Sequence, residues 1–311
     1  MRRAFNKGAW GIYREDRRTA TPIGKPPFVP TALPSTASPV VSPPKTSRDE
    51  SFPVAWLLPG NVRAPVLAYY AFARKADDVA DSALLSSDDK LARLNALDDA
   101  LIRGEGDPAA VTLHAILTQR GLPFALATDL LEAFRRDALN PRCATWSDLM
   151  EYCRLSAMPV GRFLLAACEE PPTPDAMRAS DALCAALQIL NHVQDCGRDW
   201  RGLKRVYIPT AWLAEAGLTA EVLGEGRCPP ALRLVLDRVL AHTDALLREA
   251  VPLPGLIKHR RLSMQAVATV SLAHALRRRL AVGDPLAARI KPSRADWLIA
   301  LFQALSAGVR R

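Results

Sequence analysis

Two short stretches place carboxylates at helical spacing within apolar surroundings. They are Asp77, Asp78 and Asp81 in AFARKADDVADS, and Asn191, Asp195 and Asp199 in LNHVQDCGRDW. At about 100° per residue, Arg74, Asp77, Asp78 and Asp81 fall within an arc of roughly 100°. Gln188, Asn191, Asp195 and Asp199 fall within roughly 80°. The flanks of the first stripe (Val66, Tyr69, Tyr70, Phe72 and Val79) are apolar, so the stripe is expected to face an interior space. Crowded, unpaired carboxylates in such a space repel and raise one another's pKa, and they need a cation to stay ionised together. Taken alone, a DDxxD stretch is more often a solvated acidic face. Two details weigh against that here. Arg74 precedes Asp78 in the less favourable order for an intrahelical ion pair, and a second stripe of the same chemistry follows more than a hundred residues later. Oxygen donors in this pattern suit Mg²⁺, which is commonly shared between one or two carboxylates and substrate phosphates.

The rest of the chain limits what can surround these helices. Leu, Ala and Arg dominate, and period-two alternation is nearly absent, which predicts an all-α domain over 48–311. Breaks are expected near Ser86-Ser87, Gly104–Pro108, Gly121–Pro123, Asn140-Pro141, Glu170–Pro174, Pro229-Pro230, Pro252–Gly255 and Gly283–Pro285. Pro65 is expected in the first turn of the helix leading to Asp77, where its missing N–H is harmless. Residues 1–47 read differently. Eight prolines lie between Pro22 and Pro44, and eight Lys/Arg stand against Glu15 and Asp16, which places +6 of the net +9 here. A disordered basic tail is the expectation.

No run of 18 apolar residues suggests a membrane span, and no apolar segment follows the basic start as a secretory signal would require. The six cysteines never form CxxC, which argues against zinc and disulfides and fits a reducing cytoplasm. No nucleic-acid recognition motif accompanies the basic charge, so attraction to anionic lipid at the inner face of the cytoplasmic membrane, or simple solubility, is the more modest reading. Gly104–Ala109 loosely matches GxGxxA but follows a helical pattern, and no P-loop, HExxH or GxSxG occurs. His192 borders the second stripe and reads as structural.

Two further segments bear on chemistry. In Tyr152–Arg162, Pro159 predicts a kinked helix with the carbonyl of Leu155 freed, and Ser156, Ala157 and Gly161 leave room beside the backbone. In Lys204–Pro209, Arg205 either reaches the same phosphates as the second stripe or lies on the surface of a helix-ending loop.

Together these motifs resemble the squalene/phytoene synthase family of head-to-head isoprenoid synthases from about Ser51 to Leu305. The DDxxD stretch, the YC…SA.PVG helix, the NxxQDxxxD stretch and the RVYIP segment stand in the family's order. The branch most similar, through SFPVA, YAFAR, SAMPVG and Asp296-Trp297, is the hydroxysqualene-forming one of bacterial hopanoid synthesis. The resemblance implies the isoprenoid synthase fold, a single helical bundle with two acidic helices facing across a central cavity. It implies Asp77, Asp81, Asn191, Asp195 and Asp199 as Mg²⁺ ligands, with Asp78 adjacent. Arg74 and Arg205 would contact diphosphate, Tyr152, Gln188 and Tyr207 would line the reacting end, and Ser51 and Phe52 would touch substrate. Gln194 stands where relatives carry an arginine. The implied reaction ionises presqualene diphosphate and quenches the cation with water, held by Ser156 or Tyr152. Alternatives are presqualene diphosphate, squalene or phytoene synthesis from prenyl diphosphates such as farnesyl diphosphate, and, in a different class, an inactive lipid-binding helical partner. Other enzymes of squalene and hopanoid synthesis are the implied protein partners.

Overall fold

Helix boundaries follow local chemistry closely. Ser86 caps α2 (Ser87–Arg103) by accepting from the Asp89 N–H, and Gly104 ends it at φ 73°, a left-handed conformation that costs glycine little. Asp107 caps α3 (Pro108–Arg120), with Pro108 in its first turn. Thr145 and Asp148 form a reciprocal capping box at the start of α5 (Trp146–Ser156). Thr173 caps α7 (Pro174–Leu203), the thirty-residue axis of the molecule. The computed structural model describes residue 58, residues 60–140 and residues 142–309, and the tail over 1–47 together with Ser51 and Phe52 lies outside them.

The other helices are α1 (Gly60–Asp81), α4 (Ala125–Ala138), α6 (Met158–Ala167), α8 (Thr210–Glu215), α9 (Pro230–Ala250), α10 (Leu253–Leu256), α11 (Arg260–Val282) and α12 (Arg294–Val309). No β-strand occurs among the described residues; one isolated bridge joins Arg142 to Val206. α1 packs on α2, α3, α4 and α6, while α7 packs on α5, α6, α9, α10 and α11. One continuous apolar core runs through both groups. α7 makes this possible with small residues on its inner faces (Ala179, Ala182, Ala185, Ala186 and Gly197) that let neighbours approach. No helix among the described residues is long and apolar enough to cross a membrane.

Two expectations are corrected. Pro65 is the sixth residue of α1 rather than part of its first turn. Its ring removes the hydrogen bond to the carbonyl of Asn61, and Arg120 Nη2 donates to that oxygen at 2.6 Å. The segment around Pro159 is two helices instead of one kinked helix. Ala157 (φ −120°, ψ −46°) separates α5 from α6, and Pro159 sits in the first turn of α6, where it needs no donor.

Candidate active site

Arg205 joins the ends of the two acidic stripes. α7 stops at Lys204, whose left-handed backbone (φ 56°) turns the chain back on itself. The Arg205 N–H then donates to the Asp199 carbonyl at 3.3 Å. Its side chain, buried rather than on a loop surface, pairs with Asp81 at 2.5 Å and donates to the Ala80 carbonyl at 3.1 Å. The Arg142–Val206 bridge and the hydrogen bond from Thr210 N–H to the Cys143 carbonyl (2.9 Å) pin this segment to the chain after α4.

Behind Arg205 lies a buried polar hub that sequence reasoning missed. Asp137, near the end of α4, accepts from Tyr152 Oη and from Tyr207 Oη, each at 2.8 Å. Burial pushes its carboxyl pKa up, against the pull of Arg205 and the two hydroxyls. Burial, reinforced by Asp137, also holds both tyrosines well above the usual phenol range. Arg205 shows the opposite balance. Burial opposes its charge, but Asp137, Tyr207 and Asp81 outweigh it and hold the guanidinium protonated. His192 stacks on Tyr207 with ring centroids 3.7 Å apart, and Gln188 Nε2 lies 3.2 Å from its Nε2. Burial and the charge of Arg205 lower its pKa to about 3, so it is a neutral ring at physiological pH.

The acidic residues are not crowded without partners, and this corrects a third expectation. Arg74 pairs with Asp77 (3.1 Å) and Asp78 (2.7 Å) despite the less favourable order. Asp195 pairs with Arg198 (2.6 Å) and Arg289 (3.1 Å). Guanidinium groups thus supply counter-charge to the stripes, and among the described residues no three His, Cys, Asp or Glu side chains converge as a ligand shell. The donor chemistry still fits a hard divalent cation. Asp77, Asp81, Asn191, Asp195 and Asp199 offer carboxylate or amide oxygen, and Asp77 and Asp81 keep about a quarter of their side-chain surface exposed (27% and 21%). Asn191 is half-buried on the same helix as Asp195. Gln194 serves the fold, since its amide donates to the Ile290 carbonyl and ties α7 to the chain after α11.

Ser156, the last residue of α5, buries its hydroxyl with no hydrogen-bond partner among the described residues. A buried hydroxyl left unpaired costs free energy, and it does not cap the break at Ala157. Asp137 and Arg289 carried no signal in the sequence beyond being charged residues in helical or loop surroundings.

A squalene/phytoene synthase family profile matches residues 45–297. The chain is 44% identical to a hydroxysqualene synthase of Rhodopseudomonas palustris, covering 86% of this chain and 91% of that one. It is 39% identical to a hydroxysqualene synthase of Zymomonas mobilis over 84% and 88% of the two chains. Among solved structures, a squalene synthase from Alicyclobacillus acidocaldarius superposes with a TM-score of 0.66 at 32% identity, covering 72% of this chain and 85% of that one. A dehydrosqualene synthase determined with a ligand superposes with a TM-score of 0.67 at 25% identity, over 83% and 91%. With its all-helical architecture, two acidic stripes and this likeness along most of its length, the chain belongs to the squalene/phytoene synthase family.

Proposed function

We propose that this enzyme converts presqualene diphosphate and water to hydroxysqualene and diphosphate, with Mg²⁺ held by Asp77, Asp81, Asn191, Asp195 and Asp199. The observation that carries the geometric part is Arg205, whose N–H bonds the Asp199 carbonyl, whose buried side chain pairs with Asp81, and which is backed by the Tyr152–Asp137–Tyr207 hub. The likeness to hydroxysqualene synthases supports the choice of product.

Bound Mg²⁺ would supply Lewis-acid neutralisation of the departing diphosphate. The chain's own residues divide the remaining work. Arg74 and Arg205 are fixed guanidinium donors for diphosphate oxygens, already oriented by Asp77, Asp78 and Asp81. Tyr152 and Tyr207 donate to Asp137, which fixes two electron-rich phenol rings that would stabilise a developing carbocation. His192 stays neutral beside them and adds no repelling charge. The unpaired Ser156 hydroxyl is the candidate holder of the attacking water. On this reading the enzyme is cytoplasmic, meets its substrate at the inner membrane face beside other enzymes of the pathway, and gains attraction to that face from the basic tail.

The test is incubation of purified protein with presqualene diphosphate and Mg²⁺ in ¹⁸O-labelled water without NADPH. Labelled hydroxysqualene is expected. Unlabelled alcohol, squalene that forms only with NADPH, or presqualene diphosphate accumulating from farnesyl diphosphate would each assign the chain to another branch.

A further inference from the structure

The hairpin of α11 and α12 is packed inside out. α12 turns Ala300, Ala304 and Gly308 toward α11, and Gly308 lies so close to Met264 that a Cβ would meet its sulfur at 2.7 Å. On the other side, Leu298, Phe302, Leu305 and Val309 share an arc of roughly 60°. They are 67%, 70%, 49% and 81% exposed. A helix on a water-facing surface normally buries its large residues and shows its small or polar ones. Past the exposed Ile299 lies a mixed groove in which Val251, Pro254, Val267 and Val270 stand beside Ser271, His274, Arg278 and Gln303. An apolar face of this extent marks a contact surface.

The charge around it is one-sided. Residues 258–311 carry eleven Lys/Arg against Asp284 and Asp296, a net +9, whereas residues 48–257 carry 22 against 28, a net −6. Arg260 Nε donates to the Gly308 carbonyl (2.7 Å) and Arg279 Nε pairs with Asp296 (2.6 Å), so the two helices run antiparallel. Basic residues therefore bracket the apolar stripe at both ends. Lys258 and Arg261 stand at one end, and Arg278, Lys291 and Arg294 at the other. All five are exposed and make no ion pair among the described residues.

We propose that this face docks on a bilayer containing anionic lipid, with Leu298, Phe302, Leu305 and Val309 entering the headgroup–acyl boundary and the basic residues meeting the headgroups. Apolar insertion flanked by Lys and Arg is the chemistry of an interfacial amphipathic helix. A second copy of the chain would set one strongly basic surface against another, which disfavours self-pairing. The proposal does not depend on which prenyl substrate the site takes, and it places the inserting contact on the helical body, with the basic tail adding only electrostatic attraction.

The test is co-sedimentation of the full chain with vesicles of phosphatidylcholine alone or mixed with phosphatidylglycerol. Binding to the mixed vesicles is expected. The combined exposed substitutions Leu298→Gln, Phe302→Gln and Leu305→Gln should weaken it roughly tenfold or more with an unchanged thermal melt. Lys258→Gln with Arg261→Gln and Arg294→Gln should weaken it at low salt, and the difference should vanish near ~1 M salt, where the Debye length is about 3 Å. Neutralising Arg14, Arg17 and Arg18 to Gln should leave the dependence on Phe302 in place. Binding indifferent to the apolar substitutions, or abolished by the tail substitutions alone, would overturn the proposal. So would a wild-type dimer in light scattering that those apolar substitutions dissociate, with no vesicle binding.

Discussion

Asp137 is the residue on which the polar interior of the site turns. Two buried phenols donate to it, and its charge helps hold Arg205 protonated. Asp137→Ala leaves both hydroxyls without an acceptor and Arg205 with one acid fewer. At roughly 1–3 kcal/mol per orphaned buried group, the expected loss of unfolding free energy is about 2–6 kcal/mol. Urea denaturation measures it, and an unchanged midpoint would remove the hub from this account. Asp137→Asn keeps an oxygen for one tyrosine and removes a carboxylate whose ionisation burial disfavours, so it should lose less. In the sequence Asp137 sits in EAFRRDALN, where two neighbouring arginines suggest an ordinary surface ion pair. Its real partners lie 15 and 70 residues further along. Arg205 was legible only as two alternatives, because nothing local to Lys204–Pro209 says that the chain turns back onto Asp81.

At the scale of elements, α5 brings Tyr152 against His192 of α7, and the α6 that follows packs on α7 in a fixed register. Gly161 sets that register. A Cβ there would meet Ser180 Oγ at 2.4 Å and Cys184 Sγ at 2.6 Å. Gly161→Ala gains up to about 1 kcal/mol of helix propensity, but overpacking of this kind costs roughly 1–3 kcal/mol. A net loss of about 1–2 kcal/mol is expected by chemical denaturation, and adding Ser180→Gly should restore part of it. Additive effects of the two substitutions would show that the glycine is not a contact requirement. Most breaks between helices were readable, because Gly104, Asp107, Gly121 and Thr173 act through hydrogen bonds to their own neighbours. The break at Ala157 was not. Pro159 serves equally well in a kink and in a first turn, and packing against α7 chooses between them.

At the scale of the whole molecule, arginines from separate segments neutralise the acidic stripes before any metal arrives. Asp81→Asn should therefore destabilise the protein, since it leaves buried Arg205 short of its nearest acid. Asp77→Asn, whose pairing with Arg74 is partly exposed, should cost less than about 1 kcal/mol. If the stripes hold Mg²⁺ with diphosphate, then Mg²⁺ plus inorganic diphosphate should raise Tm, with about 2.7 kcal/mol of linkage at a hundredfold excess over Kd. Chelator, Asp77→Asn or Asp195→Asn should remove that rise. An equal rise in both variants would take the metal away from these residues. The sequence by itself determined the all-α class, most breaks between helices, the two oxygen-bearing stripes and the family, because periodicity and turn chemistry act over a few residues and the motifs stand in order along the chain. Only the tertiary structure decided what each charged group faces. An aspartate at helical spacing reads the same whether an arginine, a phenol or water lies opposite, and the partner is set by segments brought together from as far as 124 residues apart.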